Sequence, residues 1–158
     1  MSSLLITNGY LVTLDEANRF IPDGSVYIED HKIVEIGESS TLSRKADRTI
    51  DARGSIVMPG LINAHHHLYS TFARGFSPPG QPARNFEETL ANLWWKLDRA
   101  LAADDVYYSS LLALMDCARS GCTTIIDHHA SPSCVDGSLD DVERAFREVG
   151  LSGCLSYE

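Results

Sequence analysis

His65, His66 and His67 stand in a row directly after the apolar stretch MPGLINA. Imidazoles are the side chains that most readily bind a divalent metal or move a proton near neutral pH. In a strand, alternate residues share a face, so His65 and His67 point one way and His66 the other. A catalytic zinc site uses about three protein ligands, with His nitrogens at about 2.0–2.1 Å, and leaves a position open for water. The pair is therefore half a site. His66 then packs against a neighbouring wall or donates a hydrogen bond there. By the same alternation Asn63 shares the ligands' face, where it would orient a ligand or contact substrate; its other reading is backbone capping at the strand end.

Further candidates lie downstream. Asp127, His128 and His129 end the strand-like segment CTTIIDHHA. Neighbours face opposite sides, so one of the two histidines reaches substrate at most, and a satisfied structural histidine is the alternative. Trp94 and Trp95 sit on a helical stretch, where one reading is core packing and the other, assigned to Trp95, is stacking on a flat substrate. Glu158 ends the last strand on the expected rim and would touch substrate there. Arg74 reads as a solvated loop residue. Cys117, Cys122, Cys134 and Cys154 form no C-x-x-C pair and read as small reduced residues.

These residues need elements to hold them. Residues 4–14, 24–30, 32–38 and 48–60 are short β-branched runs broken by Asn-Gly, Pro-Asp-Gly and Asp-His, which predicts a small antiparallel unit with a hairpin turning at Asp30 and His31. Beyond Pro59, helical stripes run through Leu90, Leu93, Trp94, Leu97 and Leu101, and through Leu111, Leu112, Met115 and Ala118. Asp104 and Asp105 start the second helix and Gly121 stops it. A strand over 122–130, a helix over 139–150 between Ser138 and Gly150, and a strand over 151–158 complete the order. GFSPPGQPARN, residues 75–85, reads as a mobile loop. The order strand, helices, strand, helix, strand is that of parallel βα units. A closed (β/α) barrel needs roughly 200 residues or more, so the 158 residues are expected to be the N-terminal part of a larger protein.

Composition narrows the class. The chain is 44% hydrophobic and carries 13 Lys and Arg against 22 Asp and Glu, a formal charge of −9 with no basic stripe, which disfavours nucleic acid. The N-terminus lacks a basic signal-peptide region and no run of about 18 apolar residues occurs. A cytoplasmic protein with no membrane partner is expected.

Pro59, Gly60, Leu61, Ile62, Asn63, His65 and His67 together resemble the amidohydrolase superfamily, whose first barrel strand reads P-G-hydrophobic-hydrophobic-(Asn or Asp)-x-His-x-His. DHKIVEIGE resembles its N-terminal β-sandwich piece and CARSGCTTIIDHH its second barrel strand. NLWWKLDRAL, DHHASP and LSYE look most like the aminohydrolase group called SsnA, in the branch with guanine, 8-oxoguanine and triazine-type deaminases and chlorohydrolases. The resemblance implies an α/β fold: residues 1–57 as strands of a composite β-sandwich, and 58–158 as the first units of a (β/α)8 TIM barrel. It makes His65 and His67 ligands of a divalent ion, zinc first, with Fe, Mn or Co as alternatives. It puts the remaining ligands and the acid–base residues beyond Glu158. The implied reaction is hydrolysis of a non-peptide C–N bond, deamination of a purine-, pyrimidine- or triazine-like small molecule, in a protein that is a homo-oligomer when intact. Two other readings stand beside it: a cyclic-amide hydrolase of the hydantoinase kind, and a non-catalytic fragment, inactive without its remaining strands.

Overall fold

The computed structural model describes residues 2–77 and 79–158, and the chain divides into two units, Met1–Pro59 and Gly60–Glu158. Pro78, in the segment expected to be a mobile loop, lies outside the described residues.

The first unit is one mixed sheet. Strands β1 (Ser3–Val12), β2 (Phe20–Glu29) and β3 (Lys32–Glu38) pair antiparallel, while β4 (Arg48–Asp51) and β5 (Ile56–Val57) both lie parallel to β1. The β2–β3 hairpin turns at Asp30 and His31, with Asp30 at φ 50°. The antiparallel expectation thus needs correction at β4 and β5. The turn at Arg53 and Gly54, both at positive φ, breaks the run 48–60 in two and lets both pieces follow one strand. Leu5, Tyr27 and Leu42 form its buried cluster. Among the described residues a second sandwich layer is not present.

In the second unit, β6 (Leu61–His66), β7 (Cys122–His129) and β8 (Ser152–Tyr157) form a parallel sheet in that order. A 3-10 turn covers Leu68–Ala73. Helix α1 (Phe86–Thr89), a π turn over Leu90–Trp94 and α2 (Trp95–Ala100) make the first helical excursion, which starts where Asn85 Oδ1 accepts from the Glu88 amide at 2.9 Å. Helix α3 (Ala103–Arg119) begins with the Asp105 carboxylate accepting from the Ala102 amide at 3.0 Å. Gly121, at φ 82°, turns the chain from α3 into β7. Helix α4 (Ser138–Val149) ends at Gly150 in the left-handed region. Its N-cap is Gly137 and not Ser138, whose hydroxyl instead donates back to the Val135 carbonyl at 2.8 Å.

The core sits between this sheet and α3 and α4: Ile125, Val106, Leu114, Val142 and Ala145 are fully or almost fully buried, and Leu68 joins them from the 3-10 turn. Ile125, Asp127 and His129 alternate onto this covered face of β7. Ile126 and His128 therefore take the open face. No helix among the described residues is long and apolar enough to cross a membrane.

Candidate metal centre

The alternation expected of the histidines is realised. His65 Nε2 and His67 Nε2 approach to 3.1 Å, with their rings edge to face. Two nitrogens at about 2.0–2.1 Å around a tetrahedral ion stand roughly 3.3 Å apart, so the separation fits a shared divalent centre. The tautomer fits as well. His67 Nδ1 lies 2.8 Å from the His128 carbonyl oxygen, which can only accept, so Nδ1 carries the proton and Nε2 of the neutral ring presents a bare lone pair. Among the described residues no third His, Cys, Asp or Glu joins the two in a ligand cluster.

His66 faces away, into a cleft of about 290 Å³ that Asn63, Cys117 and Cys122 also line, with the Arg74–Asp116 ion pair among its lining residues. Burial, and then the neighbouring His67 and His65, hold its imidazole below the usual histidine range. Asn63 lies on this side and not with His65 and His67. A register shift between Asn63 and His66 in the β6–β7 pairing reverses the expected alternation, and Asn63 Oδ1 accepts from the His65 amide at 3.3 Å, the backbone role.

Around the pair, His128 stacks obliquely on His67 at 5.4 Å between ring centroids, and its Nδ1 is 3.8 Å from Glu158 Oε2. Trp94 comes to 6.5 Å from both His67 and Tyr69. Trp95, expected to reach substrate, is 46% exposed and lines a shallow cleft with Asp98, Arg99 and Pro132. The Trp95 amide donates to the Leu90 carbonyl, five residues back, and this extra residue in the turn sets which tryptophan faces the histidines.

His129 is fully buried on the opposite face. Its Nε2 is 2.8 Å from Ser131 Oγ, and that hydroxyl donates to the Cys134 carbonyl at 3.3 Å, so Nε2 carries the proton. Tyr69 and Tyr157 flank the ring, and burial pushes its pKa down to about 4. The same segment grips the C-terminal end of α2 and the residue after it: Ser133 Oγ donates to Arg99 O and Cys134 Sγ to Leu101 O.

One carboxylate, Asp98, escaped the sequence reading, and Asp127 was read there only as ending its strand. Asp98 lies near His67, Tyr69 and Glu158; burial first and Glu158 second raise its pKa, and its Oδ1 has no partner among the described residues. Burial likewise raises the Tyr69 hydroxyl. Asp127 is completely buried, and burial pushes its carboxyl up to about 6, partly opposed by the Leu68 amide, which donates to Oδ1 at 2.8 Å. Asp127 lies on the same strand face as Ile125, so a carboxylate on a core-facing position was the available signal.

Residues 56–158 match the model of the amidohydrolase family. The chain belongs to that family. Among its relatives, a 5'-deoxyadenosine deaminase of Methanosarcina mazei is 38% identical over 157 residues, covering 99% of this chain and 33% of the relative. A 5-methylthioadenosine/S-adenosylhomocysteine deaminase of Pyrococcus furiosus is 36% identical over 154 residues, 98% of this chain and 33% of the relative. Among solved structures, the atrazine chlorohydrolase TrzN from Arthrobacter aurescens TC1, complexed with zinc, superposes with a TM-score of 0.81 at 27% identity, over 98% of this chain and 35% of that one. The chain thus spans about a third of the length of the curated relatives it matches.

Proposed function

We propose that this amidohydrolase chain contributes two ligands and one wall of the substrate pocket to a metal-dependent hydrolase that deaminates an N-heterocycle. The observation that carries the reading is the convergence of His65 Nε2 and His67 Nε2 at 3.1 Å, with the His67 tautomer held by the His128 carbonyl. The similarity to adenosine-type deaminases and to a zinc-bound triazine chlorohydrolase supports both the metal and the substrate class. The three parallel strands are the first three of a (β/α)8 barrel, a fold whose active sites lie at the C-terminal ends of its strands; His65, His67, His128 and Glu158 all lie at those ends.

When bound, the ion supplies Lewis acidity that makes water nucleophilic near neutral pH. His65 and His67 hold it through their Nε2 atoms. The His128 carbonyl keeps the His67 proton on Nδ1. Trp94 offers a ring face to a flat heterocycle, and Asp98, His128 and Glu158 offer polar contacts at its edge. Net hydrolysis replaces the exocyclic amine by oxygen from water and releases ammonia. The remaining ligands and the group that moves the proton come from outside these 158 residues. The test is ammonia release by the zinc-loaded full-length protein from aminopurine nucleosides and aminotriazines. Release that His67→Ala abolishes is expected; activity that survives both His65→Ala and His67→Ala would overturn the reading.

A further inference from the structure

A buried carboxylate with an unpartnered oxygen is an expensive group, because removing its charge from water costs several kcal/mol unless partners compensate. Asp127 is such a group: it is completely buried, Oδ1 accepts from the Leu68 amide, and Oδ2 has no partner among the described residues. Packing alone does not call for a carboxylate, since its neighbours on the same face of β7 are Ile125 and His129 within the core.

Its position supplies a reason. Leu68 is the residue after His67 and opens the 3-10 turn that carries the chain away from β6. At His67 the backbone has left the strand, with φ −129° and ψ 81°, so the ladder no longer fixes it. Two consecutive residues of β7 take over. The His128 carbonyl accepts from the His67 ring, and the Asp127 carboxylate accepts from the amide just beyond it, at 2.8 Å in both cases. One grip sets the ring's rotation about its axis; the other sets where the backbone delivers it. The His66–Asp127 register pairing places the carboxylate directly beside the ligand strand.

We infer that Asp127 is a positioning residue for the metal centre, which holds His67 within reach of His65 by anchoring the Leu68 amide. The inference rests on the proposed metal reading and adds a residue that contacts neither ion nor substrate. What it requires of residue 127 is an acceptor oxygen of this size at this place. Asparagine supplies one; alanine and valine do not.

Zinc affinity of the full-length protein, measured by competition with a chromophoric chelator, tests this, together with hydrogen exchange at the Leu68 amide. Asp127→Ala or Asp127→Val is expected to weaken zinc roughly 10–100-fold, the range for loss of a group that orients a ligand, and to speed exchange at Leu68. Asp127→Asn, which keeps the acceptor and the volume, is expected to stay within about threefold of wild type and to keep Leu68 protected. Should neither apolar variant fold, the asparagine variant decides alone: a tenfold loss there overturns the inference, as does wild-type affinity in a folded alanine or valine variant. A wild-type full-length protein that takes up no zinc would instead overturn the functional reading, and this inference with it.

Discussion

His129 is a completely buried imidazole, and burial sets its protonation. Alternation along β7 separates it from His128, and the structure puts His129 in the core and His128 on the open face. Its pKa of about 4 lies below the ordinary value of 6.5. Between those values the unfolded chain binds a proton that the folded chain refuses, so this group makes stability fall as pH drops from about 6.5 toward 4, by up to about 3 kcal/mol. Asp127 acts in the opposite sense. Its folded pKa of about 6 exceeds the ordinary 3.8, so its contribution to stability is present below that value and declines as pH rises through the window. The two slopes largely cancel in the wild type. In Asp127→Asn the His129 slope should emerge: the urea midpoint falls between pH 7 and pH 4.5, and adding His129→Gln removes most of that fall. An equal fall in single and double variants would show that His129 does not titrate as its burial demands.

At the scale of elements, the Pro59-Gly60 pair that marks the motif has a steric cause. A Cβ on Gly60 would lie 2.1 Å from Thr123 Cγ2 and 2.7 Å from its Cβ, across the β6–β7 interface. Threonine is branched at Cβ and cannot rotate out of the way. Gly60→Ala should therefore destabilise the second unit by about 1–3 kcal/mol, and Thr123→Gly in the same chain should restore most of the loss; additive penalties in the double variant would contradict the clash. The elements were largely legible because apolar spacing, Gly121 and Gly150 mark them locally. Two placements were not. The face of Asn63 depends on a register shift set by pairing with β7, and which tryptophan ring lies beside His67 depends on a π turn; neither leaves a local mark in the sequence. Asp98 was not legible either, because one acidic residue on an amphipathic helix gives no sign of its burial until the partner element arrives.

At the scale of the whole molecule, helices among the described residues cover one face of the second unit's sheet and leave the other open. Ile62, 66% exposed, pairs in register with Thr124; Ile126, two residues on and 41% exposed, pairs with Cys154, also exposed. Contiguous apolar surface of this kind drives association. The chain should self-associate at micromolar concentration in light scattering after gel filtration, and Ile62→Lys with Ile126→Lys should shift it toward monomer with the fold retained by circular dichroism. A monomeric wild type would show that this face is covered in solution. X-ray absorption at the zinc edge of the loaded protein measures the metal's ligands directly: imidazole nitrogens at about 2.0–2.1 Å are expected, with the imidazole scattering reduced by one ring in His65→Ala and in His67→Ala. A spectrum unchanged by either substitution would place the metal away from these two rings.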